Sequence, residues 1–277
     1  TDARACNNWG EIVGDAGDVH AVYWSGPDGL LEVLPNPGDL SEAEGINDQS
    51  VVCGWSGPLG EYQATVWYLV DGQWTHLPLP FLGAPERDED GNPKPDRSFA
   101  EAISNADSVS GVISIVGWSN GNAALWTAAF NAEGDLIVGP ATILDPNAEA
   151  SGLNNTGTVC GFGLLGPSSG GDGVVWVDAG PAELLTPTFG FRESPQQVFP
   201  ADVNDTGLIV GDNFFDAVLW PSKDAAPLLM EEFIAKGKKA KFDYLYDAKA
   251  VNEWNEIVGY GSHEGLGLPF LAVPVSD

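Results

Sequence analysis

Three oxygen-bearing side chains, Asp88, Asp90 and Asn92, alternate around Gly91 in one acidic segment of the chain. Calcium-binding loops space their side-chain ligands in this way around a glycine. The bidentate Glu that completes a full EF-hand loop is missing, although Asp96 offers a further carboxylate. The segment is therefore a candidate calcium site, and calcium is the one cofactor that the sequence suggests. The alternative interpretation is a plain, solvated acidic loop.

Cys6, Cys53 and Cys160 occupy positions at which other copies of an internal repeat carry apolar residues such as Val210 and Ile46. Free cysteine is a suitable small buried residue, so we expect structural thiols. The odd count and the wide spacing argue against a disulfide framework or a zinc site. A Cys6–Cys53 bridge between neighbouring repeats is left open.

The three histidines, His20, His76 and His263, do not form a metal or catalytic motif. The repeat position of His20 also accepts Gln, Asn and Asp, which is typical of a hydrogen-bonding site between strands. A pair of His20 and His263 across neighbouring repeats would lack a patterned third ligand.

No motif identifies a catalytic residue. The sequence contains no Gly-x-Ser-x-Gly elbow with a partnered His, no His-Glu-x-x-His and no phosphate-binding glycine loop. The 40 acidic residues leave room for two carboxylates at glycosidase spacing, but the sequence does not say which two.

The charge of the chain excludes several partners. Forty acidic residues against 11 basic ones give a formal net charge of −29, which repels phosphate backbones and anionic lipid headgroups. No apolar run approaches the roughly 18 residues of a membrane helix. We therefore expect neither nucleic-acid binding nor membrane insertion. A first residue other than Met fits either a mature, processed protein or a chain that was shortened.

One segment, apolar-Asn-x-x-x-x-apolar-apolar-Gly in its most general form, recurs along the whole chain. Its copies are CNNWGEIVG, INDQSVVCG, LNNTGTVCG, VNDTGLIVG and VNEWNEIVG. The Asn and the closing Gly are seven residues apart in all five copies. A sixth copy near residues 103–117 is longer and has Ser104 in place of the Asn. The pattern predicts a hairpin in which the Asn side chain bonds the backbone, with a closing Gly where a side chain would not fit.

Each copy is followed by a small residue, two mostly apolar residues and a Trp, and then by a short Leu, Val or Pro stretch. The Trp-containing copies are 21–24, 64–67, 123–126, 173–176 and 217–220, and residues 268–271 fill the sixth position without a Trp. Each repeat thus holds about four β-prone segments. A Trp plate that one small sheet cannot bury alone favours stacked blades. We predict an all-β fold, a six-bladed β-propeller of four-stranded antiparallel blades.

The propeller is expected to form a single domain over residues 1–277. The predicted blades are 1–38, 39–82, 98–145, 146–188, 198–229 and 246–277, with insertions at 84–97 and 230–245. The first insertion is polar and rich in proline, and therefore a loop. The second begins with helix-forming residues and holds the one segment expected to be helical.

The repeats resemble the HAF-type bacterial extracellular repeat, in which an Ile-Asn-x-x-Gly-x-Ile-Val-Gly segment joins a His-Ala-Phe-x-Trp segment. The best matches are Val203-Asn204-Asp205-Thr206-Gly207-Leu208-Ile209-Val210-Gly211 and His20-Ala21-Val22-Tyr23-Trp24. The resemblance covers nearly all of the chain. It implies an extracellular or cell-surface protein and carries no catalytic assignment. The sixth repeat, which lacks the Trp, departs most from the family pattern.

The main functional prediction is an exported, non-catalytic binding, adhesion or assembly module of the cell surface or matrix. Its partner would be a glycan, a surface protein or another copy of the chain. The alternative is an extracellular polysaccharide or ester hydrolase or lyase with carboxylates at the mouth of the channel. An enzyme should gather charged side chains with perturbed pKa values from several blades, whereas a binding module should expose an aromatic platform.

Overall fold

A computed structural model describes residues 2–17, 20–26, 29–164, 171–189, 195–233 and 242–274. The regular elements of the described residues are all β-strands except for one short 3-10 helix, and the chain divides into two compact units, Thr1–Ala150 and Ser151–Asp277. In the parts described, no helix has the length and apolar character needed to cross a membrane. The assignment of all 277 residues to one domain stays a prediction.

The first unit contains three antiparallel sheets, each with four strands paired in chain order. Blade 1 comprises β1 (Asp2–Cys6), β2 (Ile12–Ala16), β3 (His20–Trp24) and β4 (Leu31–Val33). Blade 2 comprises β5 (Leu40–Ile46), β6 (Val52–Gly57), β7 (Gln63–Val70) and β8 (Gln73–Pro78). Blade 3 comprises β9 (Ser98–Ile103), β10 (Ile113–Ser119), β11 (Asn122–Phe130) and β12 (Leu136–Pro146).

The remaining sheets follow the same plan. Blade 4 comprises β13 (Ala148–Leu153), β14 (Thr158–Gly163), β15 (Asp172–Val177) and β16 (Glu183–Leu184), and a short pair, β17 (Thr188–Phe189) and β18 (Pro195–Gln196), follows it. Blade 5 comprises β19 (Phe199–Val203), β20 (Ile209–Asp212), β21 (Ala217–Trp220) and β22 (Leu228–Leu229). Blade 6 has β23 (Tyr244–Val251), β24 (Ile257–His263) and β25 (Leu266–Ala272), three strands within the described residues. The six sheets confirm the predicted fold class, an all-β six-bladed β-propeller.

The repeated asparagines connect neighbouring blades as well as closing their own hairpins. Asn47 Oδ1 accepts hydrogen bonds from the backbone of Gln49 and Val51, as the motif predicts. Its Nδ2 donates to the carbonyl of Ser104, the equivalent position of the next blade, over 2.9 Å. In the second unit Asn204 makes the equivalent 2.9 Å bond to the carbonyl of Asn252. A side-chain amide fits this position because it both donates and accepts.

The repeated tryptophans bury their rings against the preceding blade. Trp67 and Trp126 are fully buried, and Trp67 packs among residues of blades 1 and 2 such as Val13. Their indole Nε1 groups donate to the carbonyls of Pro35 and Pro80, at 2.7 and 2.8 Å. Because the polar edge of each ring is satisfied, the whole indole can contribute apolar area to the contact.

The closing glycines accommodate a bulge in the first strand of each blade. A Cβ atom at Gly54 or Gly117 would lie 2.0 Å from the carbonyl oxygen of Glu42 or Phe99. A side chain therefore does not fit, as predicted, because a carbonyl oxygen of the same blade occupies the space. Next to these glycines the pairing register shifts between β5 and β6 and between β9 and β10. Glu44 and Glu101 are the unpaired, bulged residues.

Two local predictions need correction or restriction. Cys53 and Cys160 are buried free thiols, but Cys6 is an exposed free thiol near the start of the described chain. The expectation of three buried cysteines is therefore wrong for Cys6. In the second insertion Met230–Phe233 forms a short 3-10 helix, and residues 234–241 lie outside the described residues.

Candidate active site

The bulged residues of the first unit carry three charged side chains, Arg4, Glu44 and Glu101. Each lies three residues before the Asn or Ser of its repeat and is flanked by alanine or glycine. The register of β1 also shifts between Ala3 and Ala5, so Arg4 is the bulged residue of blade 1. Because β1 contacts β5 and β5 contacts β9, the fold brings these three equivalent positions together.

Arg4 is the cation of this cluster. Its guanidinium forms an ion pair with Glu42, the residue two positions before Glu44. Asp15, which is 2% exposed, places Oδ2 3.6 Å from Arg4 Nε, and this oxygen accepts no hydrogen bond from the described residues. Arg4 keeps 44% of its side chain exposed. The guanidinium has five N–H donors, so it retains donors for a bound molecule.

The two bulged glutamates have unusually high proton affinities. Burial raises the pKa of Glu44 to about 7, and the charge of Arg4 counters this effect only in part. Burial also raises the pKa of Glu101, to about 8, and the negative charge of Glu44 adds to the rise. A side-chain hydrogen bond to Glu42 adds to the rise in the pKa of Glu44.

Glu149, at the start of β13, extends the cluster. Its charge raises the pKa of Glu101, and burial raises its own pKa. The site thus draws charged groups from the first strands of several sheets. Near neutral pH it holds carboxyls in both protonation states beside a permanent cation. Such a site can accept a proton at one carboxyl, donate a proton at another and stabilise a developing oxyanion.

A second candidate is a groove of about 870 Å³ in the first unit, lined partly by Ser56, His76 and six prolines. His76 Nε2 lies 2.8 Å from Ser56 Oγ and 3.0 Å from Thr65 Oγ1. Burial lowers the pKa of His76, so its ring is neutral at pH 7. A Ser–His contact is the first requirement of a nucleophilic site. Here one nitrogen is shared by two hydroxyls on adjacent strands, and Ser56 is 3% exposed, so we assign the trio to contacts between β6, β7 and β8.

The structure places the predicted calcium ligands in an exposed turn, where they form hydrogen bonds with one another and with the turn's own backbone. Asp88 Oδ1 accepts hydrogen bonds from the backbone of Asp90 and Asn92, and Oδ2 accepts one from Asn92 Nδ2. The bonds from Asn92, and that from Asp90, lower the pKa of Asp88. Within the described ranges, no group of three His, Cys, Asp or Glu side chains is placed to hold a metal ion. Calcium binding at Asp88, Asp90 and Asn92 stays a prediction.

The charged cluster was not identified from the sequence, although a signal was present. The repeat alignment fixes the position three residues before the Asn, and that position is Arg4, Glu44 and Glu101 in the first three repeats. A repeat with a purely structural role would not be expected to carry charged residues between small residues on a strand with many buried positions, because charged side chains are rarely buried. The repeat motif starts at the apolar residue before the Asn, so it does not include this position.

Comparison with known proteins shows a likeness to solved structures. No family model matches the chain, and no curated protein matches it. A solved structure of a gluconolactonase from Xanthomonas campestris superposes with a TM-score of 0.53 at 12% sequence identity, covering 98% of this chain and 86% of that one. At this identity the likeness concerns the fold. Membership of the HAF repeat family stays a prediction.

The comparison overturns the main functional prediction. An exported, non-catalytic binding, adhesion or assembly module is contradicted, because the solved structure that this chain resembles over nearly its whole length is an enzyme. The alternative, an extracellular polysaccharide or ester hydrolase or lyase with carboxylates at the channel mouth, agrees better with this finding. Its extracellular location and the place of its carboxylates stay predictions. The same alternative predicted charged residues with perturbed pKa values on several blades, which Glu44 and Glu101 provide.

Proposed function

We propose that this protein is a hydrolase that cleaves an ester or lactone bond at the cluster of Arg4, Glu44 and Glu101. The observation that carries the proposal is the pair of carboxyls with pKa values of about 7 and about 8 on neighbouring blades. The resemblance to a gluconolactonase supports ester chemistry over glycosidic cleavage. An extracellular location remains a prediction from composition and repeat type.

The lower pKa makes Glu44 the base and the higher pKa makes Glu101 the acid. Ionised Glu44 takes a proton from water as the water oxygen bonds to the carbonyl carbon. The negative charge that forms on the carbonyl oxygen is stabilised by Arg4, which the ion pair with Glu42 holds in place. When the tetrahedral intermediate collapses, the bond to the leaving oxygen breaks and Glu101 supplies its proton. The products are a carboxylic acid and an alcohol, and solvent returns the proton from Glu44 to Glu101.

The test is a hydrolysis screen with p-nitrophenyl esters, sugar lactones and p-nitrophenyl glycosides. We expect turnover of an ester or lactone, with kcat/KM highest between about pH 7 and 8, because Glu44 must be ionised and Glu101 protonated. Glu44→Gln and Glu101→Gln should each lower kcat by about 100-fold or more. Glu44→Gln should remove the acidic limb of the pH profile, and Glu101→Gln the alkaline limb.

Glu133→Gln is the matched control, because Glu133 is exposed in the turn between β11 and β12. Its kcat/KM should equal that of the wild type. The proposal fails if neither esters nor lactones are cleaved, if only glycosides are cleaved, or if both glutamine variants retain full activity.

A further inference from the structure

Four aromatic rings lie together beside the charged cluster. They belong to Trp55 on β6, Tyr62 just before β7, Phe99 on β9 and Trp118 on β10. Ring centroids are separated by 4.6 Å for Trp55 and Tyr62, 5.7 Å for Tyr62 and Phe99, and 5.6 Å for Phe99 and Trp118. We call these four residues the aromatic shelf. All four are partly exposed, so the shelf presents ring surface to solvent.

The shelf is continuous with the carboxylates. Trp55 Nε1 donates to Glu42 Oε2 over 3.1 Å, and Glu42 in turn bonds to Glu44 and Arg4. Phe99 lies two positions before Glu101 on β9, and Glu101 is close enough to Glu42 for the charge of Glu42 to raise its pKa. A molecule lying on the shelf would therefore reach the carboxyl groups.

Trp55 and Trp118 do not occupy the buried tryptophan position of the repeat. The repeated tryptophans, Trp67 and Trp126, are fully buried and donate Nε1 to backbone carbonyls. Trp55 and Trp118 instead follow the closing glycines, a position that is Asp15 in blade 1. The same position is Asp212 in blade 5, Phe162 in blade 4 and Tyr260 in blade 6, so the fold accepts an aromatic residue there without requiring one.

We propose that the aromatic shelf binds a neutral saccharide, which would make the substrate of the proposed hydrolase an ester or lactone of a neutral sugar. Sugar rings offer faces of C–H groups that stack on aromatic rings, and their hydroxyls hydrogen-bond to neighbouring carboxylates. A shelf of rings with a few converging polar groups meets both requirements. The adjacent carboxyls and the net charge of −29 repel uronate and sulfated sugars. The substrate class rests on the proposed function, whereas saccharide binding by the shelf can be tested without it.

The experiment titrates the protein with cellohexaose, mannohexaose and hexa-N-acetylchitohexaose, and with hexagalacturonate as the anionic comparison, by calorimetry. We expect at least one neutral hexasaccharide to bind and hexagalacturonate not to bind. Trp55→Ala and Trp118→Ala should each raise Kd about tenfold, and Trp118→Phe should restore part of the affinity. Trp9→Ala and Trp254→Ala, which remove rings that are 72% and 69% exposed elsewhere, should leave Kd unchanged. Thermal melting of each variant verifies that it is folded.

The experiments distinguish a failure of the shelf proposal from a failure of the hydrolase proposal. Glu101→Gln should keep saccharide binding while losing turnover. If no neutral hexasaccharide binds at millimolar concentration, or if the folded Trp55 and Trp118 variants bind like the wild type, the shelf proposal is overturned even when esters are cleaved. If the shelf binds sugar but no ester or lactone is cleaved, the shelf stands and the hydrolase assignment falls.

Discussion

Glu101 makes the stability of the protein depend on pH in a direction that can be measured. Its pKa is raised from 4.5 to about 8, chiefly by burial. Between these two values the unfolded chain has released a proton that the native state still holds. The free energy of unfolding therefore falls as pH rises through this window, and the loss is complete above about pH 8. Glutamine at this position does not titrate, so Glu101→Gln should remove the part of the loss due to this group.

The size of the effect follows from the shift. One pKa unit corresponds to about 1.4 kcal/mol, so a shift of this size sets an upper limit of roughly 5 kcal/mol. Glu101 retains some contact with solvent, and its neighbours Glu44 and Glu149 also titrate, so we expect about 1–3 kcal/mol. Relative to the wild type, Glu101→Gln should gain this amount on going from pH 5 to pH 9.

Urea unfolding of both proteins at the two pH values measures the effect. The difference between the two pH values cancels any fixed cost of the substitution, such as a lost contact. Glu133→Gln, at an exposed turn, should give a difference near zero. If Glu101→Gln shows the same free-energy difference from the wild type at pH 5 and pH 9, then Glu101 is not protonated in the native state near neutrality and the reasoning about the site is refuted.

Three further predictions test the fold and the remaining candidate site. Trp126→Ala should lower the free energy of unfolding by about 3–5 kcal/mol, measured in urea, because it empties a fully buried site; a change below about 1 kcal/mol would contradict inter-blade packing. Asn47→Asp should cost about 1–3 kcal/mol or more, because a carboxylate would replace the donor to the Ser104 carbonyl, and the cost should shrink at pH 4; equal stability at pH 7 would refute the inter-blade bond. If Asp88 binds calcium, a chelator should lower Tm in the wild type and not in Asp88→Ala; an unchanged wild-type Tm would remove the site.

Much of the architecture could be predicted from the repeat. Asn47 and Asn204 mark equivalent hairpins, Gly54 and Gly117 mark positions without room for a Cβ, and four of the five repeated tryptophans are buried. These features are local or periodic, so a linear sequence displays them. The sequence did not show that the Asn side chain also donates to the next blade, because that acceptor belongs to a segment 57 residues away.

The limit of prediction from the sequence is clearest at the candidate site. The sequence by itself determined which residues lie three positions before the Asn or Ser of each repeat, including Arg4, Glu44 and Glu101. Only the tertiary structure decided that the two glutamates share a poorly hydrated region next to one cation, with pKa values near neutrality. A pKa is set by the free energy of the charged form in its surroundings, and those surroundings come from strands that are distant along the chain and adjacent in the fold.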